Sequence, residues 1–143
     1  MTARVIRGWW PLVVANGLAA LVASGFGVVG VLDPATVLPG INGGDAVAIF
    51  AGLYAVRALP IGVAVVVLLW RRSPGPVPML LVAGAAQVGD SVIGIAYAVP
   101  GMMVGGAVLA AIHLVSAGWL LRHSAARSPR PVAGVSDLAS PVG

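Results

Sequence analysis

Residues 77–99, VPMLLVAGAAQVGDSVIGIAYAV, form an apolar run long enough to cross a bilayer, yet Gln87 and Asp90 lie near its middle. A carboxylate at that depth costs a few kcal/mol even on lenient insertion scales, on the order of 3 kcal/mol, and such groups face a protein interior with a partner. The reading of the whole chain turns on what Asp90 meets.

Composition sets the class. Of the 143 residues, 59% are hydrophobic and only 8% are charged, and the mean hydropathy is +1.04. An ordinary soluble domain carries roughly a quarter of its residues as charges. The chain therefore reads as one integral membrane domain. It has no cysteine, which excludes disulfides, thiolate metal sites and cysteine nucleophiles. Every base is Arg and every acid is Asp. The pI of about 11.2 does not point to nucleic acid, because the arginines sit at helix ends and in the C-terminal segment rather than on one basic face.

Working outward from residues 77–99, three more apolar segments appear. The first spans about Trp9 to Leu32, after Arg4 and Arg7. It is longer than the apolar region of a signal peptide. It also carries Ala15, Ala19, Ala23 and Gly27 at every fourth position, a small-residue ridge suited to close helix packing. It therefore reads as a membrane helix, with Trp9 and Trp10 at the interface and Pro11 in its first turn. Residues 33–46, DPATVLPGINGGDA, read as a loop in which Asp45 caps the next helix or stands at its mouth. The second apolar segment, about 46–70, holds Tyr54, Arg57 and Pro60. Residues 71–78 form a second loop, Pro100-Gly101 a tight turn, and about 102–121 the last segment, with His113 and Ser116. Residues 123–143, HSAARSPRPVAGVSDLASPVG, have too little apolar periodicity to fold and read as a disordered tail. The expectation is an all-α, four-transmembrane-helix bundle over residues 1–122.

Charge orients it. The N-terminal segment, the 71–78 loop and the C-terminal end from Arg122 through the tail hold every arginine except Arg57, while the other two loops hold none and contain Asp33 and Asp45. The positive-inside rule then places both termini in the cytoplasm, in a multi-pass protein of the cell membrane.

Counted from the outer helix ends, Arg57, Asp90 and His113 each fall roughly 14–16 Å deep. Arg57 is too deep to snorkel to either interface and needs an internal anion, and Asp90 is the one intramembrane carboxylate. The sequence thus predicts an Arg57–Asp90 ion pair. Tyr54 precedes Arg57 by three residues and shares its face. Gln87, Asp90, Gly94 and Tyr97 also share a face, as do His113 and Ser116. Asn16 and Ser24 are the polar groups of the first helix. Pro60 removes a backbone hydrogen bond near Arg57. Scattered aspartates and two histidines give no convergent metal site, and no phosphate-cradling glycine motif or other cofactor signature occurs.

Four apolar segments, an arginine in the second and Gly89-Asp90 in the third resemble the small bacterial membrane proteins of unknown function related to DoxX, over roughly residues 9–121. The resemblance implies a four-helix fold and a membrane location. Members of that group often place an acid directly after the arginine; here that residue is Ala58, which leaves Asp90 as sole counter-ion.

Three functional classes stay open. The first is an intramembrane enzyme, cofactor-independent, acting as isomerase, cyclase or epoxide-opening hydrolase on a lipophilic small molecule. Its acid–base centre is Asp90, Arg57, His113 and Tyr54, and its binding residues are Gln87, Tyr97, Asn16, Ser116 and Asp45. The second is a binding or transport subunit built on the same groups. The third is a structural partner in a larger membrane complex, with the ion pair fixing helix register. The expected surroundings are the lipid bilayer and a lipophilic molecule, with self-association into a homo-oligomer left open.

The orientation has a direct check. Because the chain has no native cysteine, Ala35→Cys and Gly43→Cys should react with an impermeant thiol reagent added outside intact cells, and Gly75→Cys should not. Labelling of the last from outside reverses the topology.

Overall fold

The structure is a computed structural model and describes residues 8–38, 44–72 and 75–125. It contains five helices among the described residues: α1 (Trp9–Leu32), α2 (Pro34–Val37), α3 (Asp45–Trp70), α4 (Pro76–Ala96) and α5 (Pro100–Ala125). No strand occurs among these residues. α1, α3, α4 and α5 are long and apolar enough to span a membrane. At about 1.5 Å per residue the shortest is about 32 Å long, enough for a hydrocarbon core of about 30 Å. The protein is a multi-pass helical membrane bundle.

Several boundaries differ from the sequence reading for local reasons. The 33–46 segment is not all loop. Pro34, with φ preset for a first helical position, starts the single turn α2, and the Thr36 hydroxyl donates to Asp33 Oδ2 at 2.6 Å. Asp45 does not cap α3: Gly44 is the N-cap, and Asp45 is the first helical residue, exposed, with its charge favourably placed at the helix N-terminus. Pro100-Gly101 is not the turn. The reversal is made by Tyr97–Val99, with Ala98 at φ 52, and Pro100 opens α5. α5 runs to Ala125, past the expected end near residue 121; the tail reading of residues 126–143 lies outside the described residues. α3 is continuous through Pro60.

The four long helices form two antiparallel hairpins, α1/α3 and α4/α5, each packed tightly, and the hairpins meet more loosely through α3 with α4 and α1 with α5. Lipid tails offer helices no hydrophobic reason to associate, so close backbone approach must supply the attraction. In α1/α3, Gly62 lies against Ala20 and Ser24, Gly27 against Ala55 and the Tyr54 ring, and Gly30 near Ala51. In α4/α5, Gly106 fits against the backbone of Gln87 and Ser91, and Ser91 donates to Met103 O at 2.8 Å.

The two ends of the bundle are chemically different. Leu12, Val13, Val65, Leu69, Leu80, Ala83, Ala117 and Leu120 form the main core, all near one end. That end also carries Arg71, Arg72 and Arg122 and all four tryptophans. Trp10 meets Trp70 edge to face at 5.9 Å, and the Arg72 guanidinium lies 5.8 Å over the Trp9 ring. The opposite end carries Asp33, Asp45 and Tyr97. Phe26, Phe50, Leu53, Val56, Val63 and many other large apolar side chains are exposed, as a lipid-facing surface requires.

Adjacent glycines test the hairpin packing. A Cβ at Gly106 would sit 2.7 Å from Ser91 N and 2.8 Å from Gln87 O, whereas one at Gly105 meets nothing within 4 Å. Gly106→Ala should lower unfolding stability in detergent by about 1–3 kcal/mol, and Gly105→Ala should be neutral or slightly stabilising. Equal effects at the two positions would refute the close α4/α5 approach.

Candidate intramembrane polar site

Arg57 is near the middle of α3 and Asp90 lies in the second half of α4, so the antiparallel pairing of these helices brings them to one level. The Arg57 Nη2 donates to Asp90 Oδ1 at 2.6 Å. The expected ion pair is present. Its halves are unequally covered: the Asp90 side chain is 7% exposed and that of Arg57 is 46% exposed. The guanidinium thus reaches from the side of the bundle inward, and its centre lies 5.3 Å from the Tyr54 ring centroid. One turn of α3 places that tyrosine, and Gly27 of α1 leaves room for its ring.

One carboxylate oxygen is left over. Asp90 Oδ2 is buried and has no hydrogen-bond partner among the described residues. Arg57 has five N–H donors and uses one on Asp90. The pair therefore presents both an acceptor and spare donors. They line a cleft with Tyr54, Gln87 and His113, floored by small residues including Ala20, Ala23 and Ala58. The cavity is about 20 Å³, about the space of one water. A hydrocarbon-sized molecule fits only if the hairpins part along their seam.

The structure moves His113 away from the level expected for it. A Cβ at Gly84 would lie 3.5 Å from His113 Cβ, so His113 stands opposite Gly84, six residues before Asp90 on α4. Six residues are about 9 Å along the axis, toward the arginine-rich end. Counting from the outer ends failed because α4 stops at Ala96 while α5 begins at Pro100, which shifts the two helices relative to the assumed common plane.

His113 belongs to a second polar cluster, which joins α1 to α5. Asn16 Nδ2 donates to Leu12 O at 2.8 Å and to Ser116 Oγ at 2.7 Å, and Asn16 Oδ1 is 2.8 Å from His113 Nδ1. All three side chains are buried. Asn16 and Ser116, expected to bind substrate, spend their polar atoms on one another, on His113 and on Leu12, and do not line the cleft.

Tyr97 and Asp45 are also not at the site. Tyr97 follows the end of α4, where helical spacing no longer governs its direction, and it is 75% exposed. Asp45 is at the exposed start of α3. Of the sequence-predicted residues, the cleft brings together Tyr54, Arg57, Gln87, Asp90 and His113. The sequence reading missed the alanines of its wall. The α1 ridge signalled them, but a packing stripe and a cleft floor are made of the same residues. Ser24, expected to add polarity, lies where α1 approaches Gly62. Among the described residues no three His, Cys, Asp or Glu side chains could jointly hold a metal ion.

No family model, curated protein or solved structure matches the chain. The chemistry of the site rests on its geometry.

The ion pair can be tested as a pair. Asp90→Ala leaves Arg57 without its anion and should cost on the order of 3 kcal/mol of stability in detergent, the lower end of what breaking a buried pair costs in soluble proteins. Adding Arg57→Leu should recover most of that loss. If the double variant is no more stable than Asp90→Ala alone, the two charges are not energetically coupled.

Proposed function

We propose that the chain is an intramembrane enzyme performing acid–base chemistry on a lipophilic, oxygen-bearing small molecule, as an isomerase, cyclase or epoxide-opening hydrolase. The observation that carries this reading is the buried, unpartnered Asp90 Oδ2 beside Arg57. An ion pair serving only as glue gains by satisfying both carboxylate oxygens, and this one leaves an acceptor facing a cleft. Arg57 holds Asp90 Oδ1 by a charge-assisted hydrogen bond and offers spare N–H donors to a substrate oxygen. In the hydrolytic form, a water gives its proton to Asp90 Oδ2 while its oxygen attacks an epoxide carbon. The C–O bond breaks, the released oxygen takes the Tyr54 proton, and Asp90 returns a proton to the tyrosinate. In the isomerising form, Asp90 removes a proton beside a carbonyl and Arg57 holds the enolate oxygen until the proton returns at another carbon.

The same proposal includes a bacterial origin and kinship with the DoxX-related proteins. It also places the chain in the cell membrane with both termini cytoplasmic, as the clustering of Arg71, Arg72 and Arg122 with the tryptophans supports. A second reading, a binding or transport subunit, is favoured by one observation: polar groups occur at two levels of the loosely packed seam between the hairpins.

The enzyme reading is tested with protein in lipid nanodiscs, a panel of lipophilic epoxides and enones, and solvent enriched in ¹⁸O or deuterium. Wild type should incorporate the label. Asp90→Asn should lose about 10²–10⁴-fold of the rate, the usual share of general acid–base catalysis. Tyr54→Phe should lower the rate with little change in stability. His113→Ala is the poorer probe, because it strips Asn16 of a buried partner. Wild-type rates in a folded Arg57→Leu/Asp90→Leu variant would overturn the enzyme reading.

A further inference from the structure

The Asn16 amide can adopt only one orientation. Leu12 O is a backbone carbonyl and can only accept, so the Asn16 atom 2.8 Å from it is the NH₂ group. Its second hydrogen goes to Ser116 Oγ at 2.7 Å. The amide oxygen is then the atom facing His113 Nδ1 at 2.8 Å, so that nitrogen must carry a proton. Turning the amide over would set its oxygen against the Leu12 carbonyl oxygen, which has no hydrogen to offer. A neutral imidazole protonated at Nδ1 has its lone pair on Nε2. His113 Nε2 makes no hydrogen bond among the described residues, and His113 is one of the residues that line the cleft.

We infer that Asn16 is a positioning residue that locks His113 as a hydrogen-bond acceptor, so that the cleft takes the hydroxyl end of a lipophilic alcohol. Resting on the reading of the cleft as a small-molecule site, this narrows the ligand class. Asp90 Oδ2 is a buried acceptor without a donor, and His113, another residue of the lining, makes no hydrogen bond through Nε2 among the described residues. An ether or ester oxygen satisfies neither; an O–H satisfies one while its oxygen accepts from Arg57. Burying an unmet acceptor costs more than a met one gains, so the preference should favour donors sharply. Ser116 holds the far side of the amide and acts only through Asn16. His123, whose Nδ1 is 2.8 Å from Trp119 O, is exposed at the end of α5 and plays no part.

The tautomer is readable without any substrate. In a His123→Gln background with ¹⁵N-labelled histidine, in nanodiscs at neutral pH, His113 should show a protonated, pyrrole-type Nδ1 and a pyridine-type Nε2. This is the reverse of the tautomer that free imidazole side chains favour. Asn16→Leu should lose that pattern, while Ser116→Ala, which spares the Nδ1 bond, should keep it. A protonated Nε2 in the otherwise native protein, with Nδ1 bare or protonated, overturns the lock, whatever Asn16→Leu does to folding. For the ligand class, 1-decanol added to the nanodiscs should move the Nε2 resonance toward the pyrrole type, and decyl methyl ether should not. Equal responses to the two probes overturn the assignment of a donor ligand. A failed tautomer leaves the role of Asp90 untouched, and wild-type turnover in the Arg57→Leu/Asp90→Leu variant leaves the tautomer standing.

Discussion

The fold is arranged around a charge that lipid cannot hold. Asp90 lies deep in the span of α4, and its cost there is met by one guanidinium from α3 at 2.6 Å. The pair fixes the rotation and the level of two helices that otherwise touch only loosely. A second polar clasp, Asn16 with His113 and Ser116, does the same for α1 and α5. The hairpins themselves need no such device. Their glycines and alanines bring backbones together, and dispersion over that contact holds each pair. Small residues thus build the hairpins, and polar residues register one hairpin against the other.

The size of the side chains divides the bundle along its length. Near the arginine-rich end, Val65, Leu69 and Leu80 are almost wholly enclosed, and the Asn16–His113–Ser116 cluster is buried beside them. Farther along, the alanines of α1 and α3 are too short to fill the space between hairpins, and the cleft lies there. A packed core on one side and a cleft on the other give the site a direction. Exchange of water or protons with the arginine-rich side must cross the packed core, whereas the seam beside Arg57, whose side chain is half exposed, lies open toward the lipid.

Much of this was legible in the residues, and the failures have physical causes. The Arg57–Asp90 pair followed from charge scarcity: with one intramembrane cation and one intramembrane carboxylate in the sequence, electrostatics leaves a single pairing. The four spans followed from hydropathy. His113 was assigned to the same level because depth was counted from helix ends, and a three-residue turn at Tyr97–Val99 was enough to displace it. Tyr97 failed for a related reason, since a helical pattern was extended past the last helical residue. The hydrogen bonds of Asn16 could not be read from spacing at all. They join residues 97 and 100 positions apart, and nothing in either local sequence marks the other.

The loose seam and the small cleft bear on each other. A cavity of about 20 Å³ beside an ion pair admits a water but no hydrocarbon, so action on a lipophilic molecule requires α3 and α4 to separate. Separation there parts few contacts, because each helix keeps its own hairpin partner. It also stretches the Arg57–Asp90 bond, which an isolated apolar ligand could not replace. A ligand that carries its own oxygen can: it accepts from Arg57 and donates to Asp90 as the direct bond lengthens. On the proposed function, the ion pair that closes the bundle selects the chemistry able to open it, and a purely hydrocarbon lipid, having neither donor nor acceptor, leaves the seam shut.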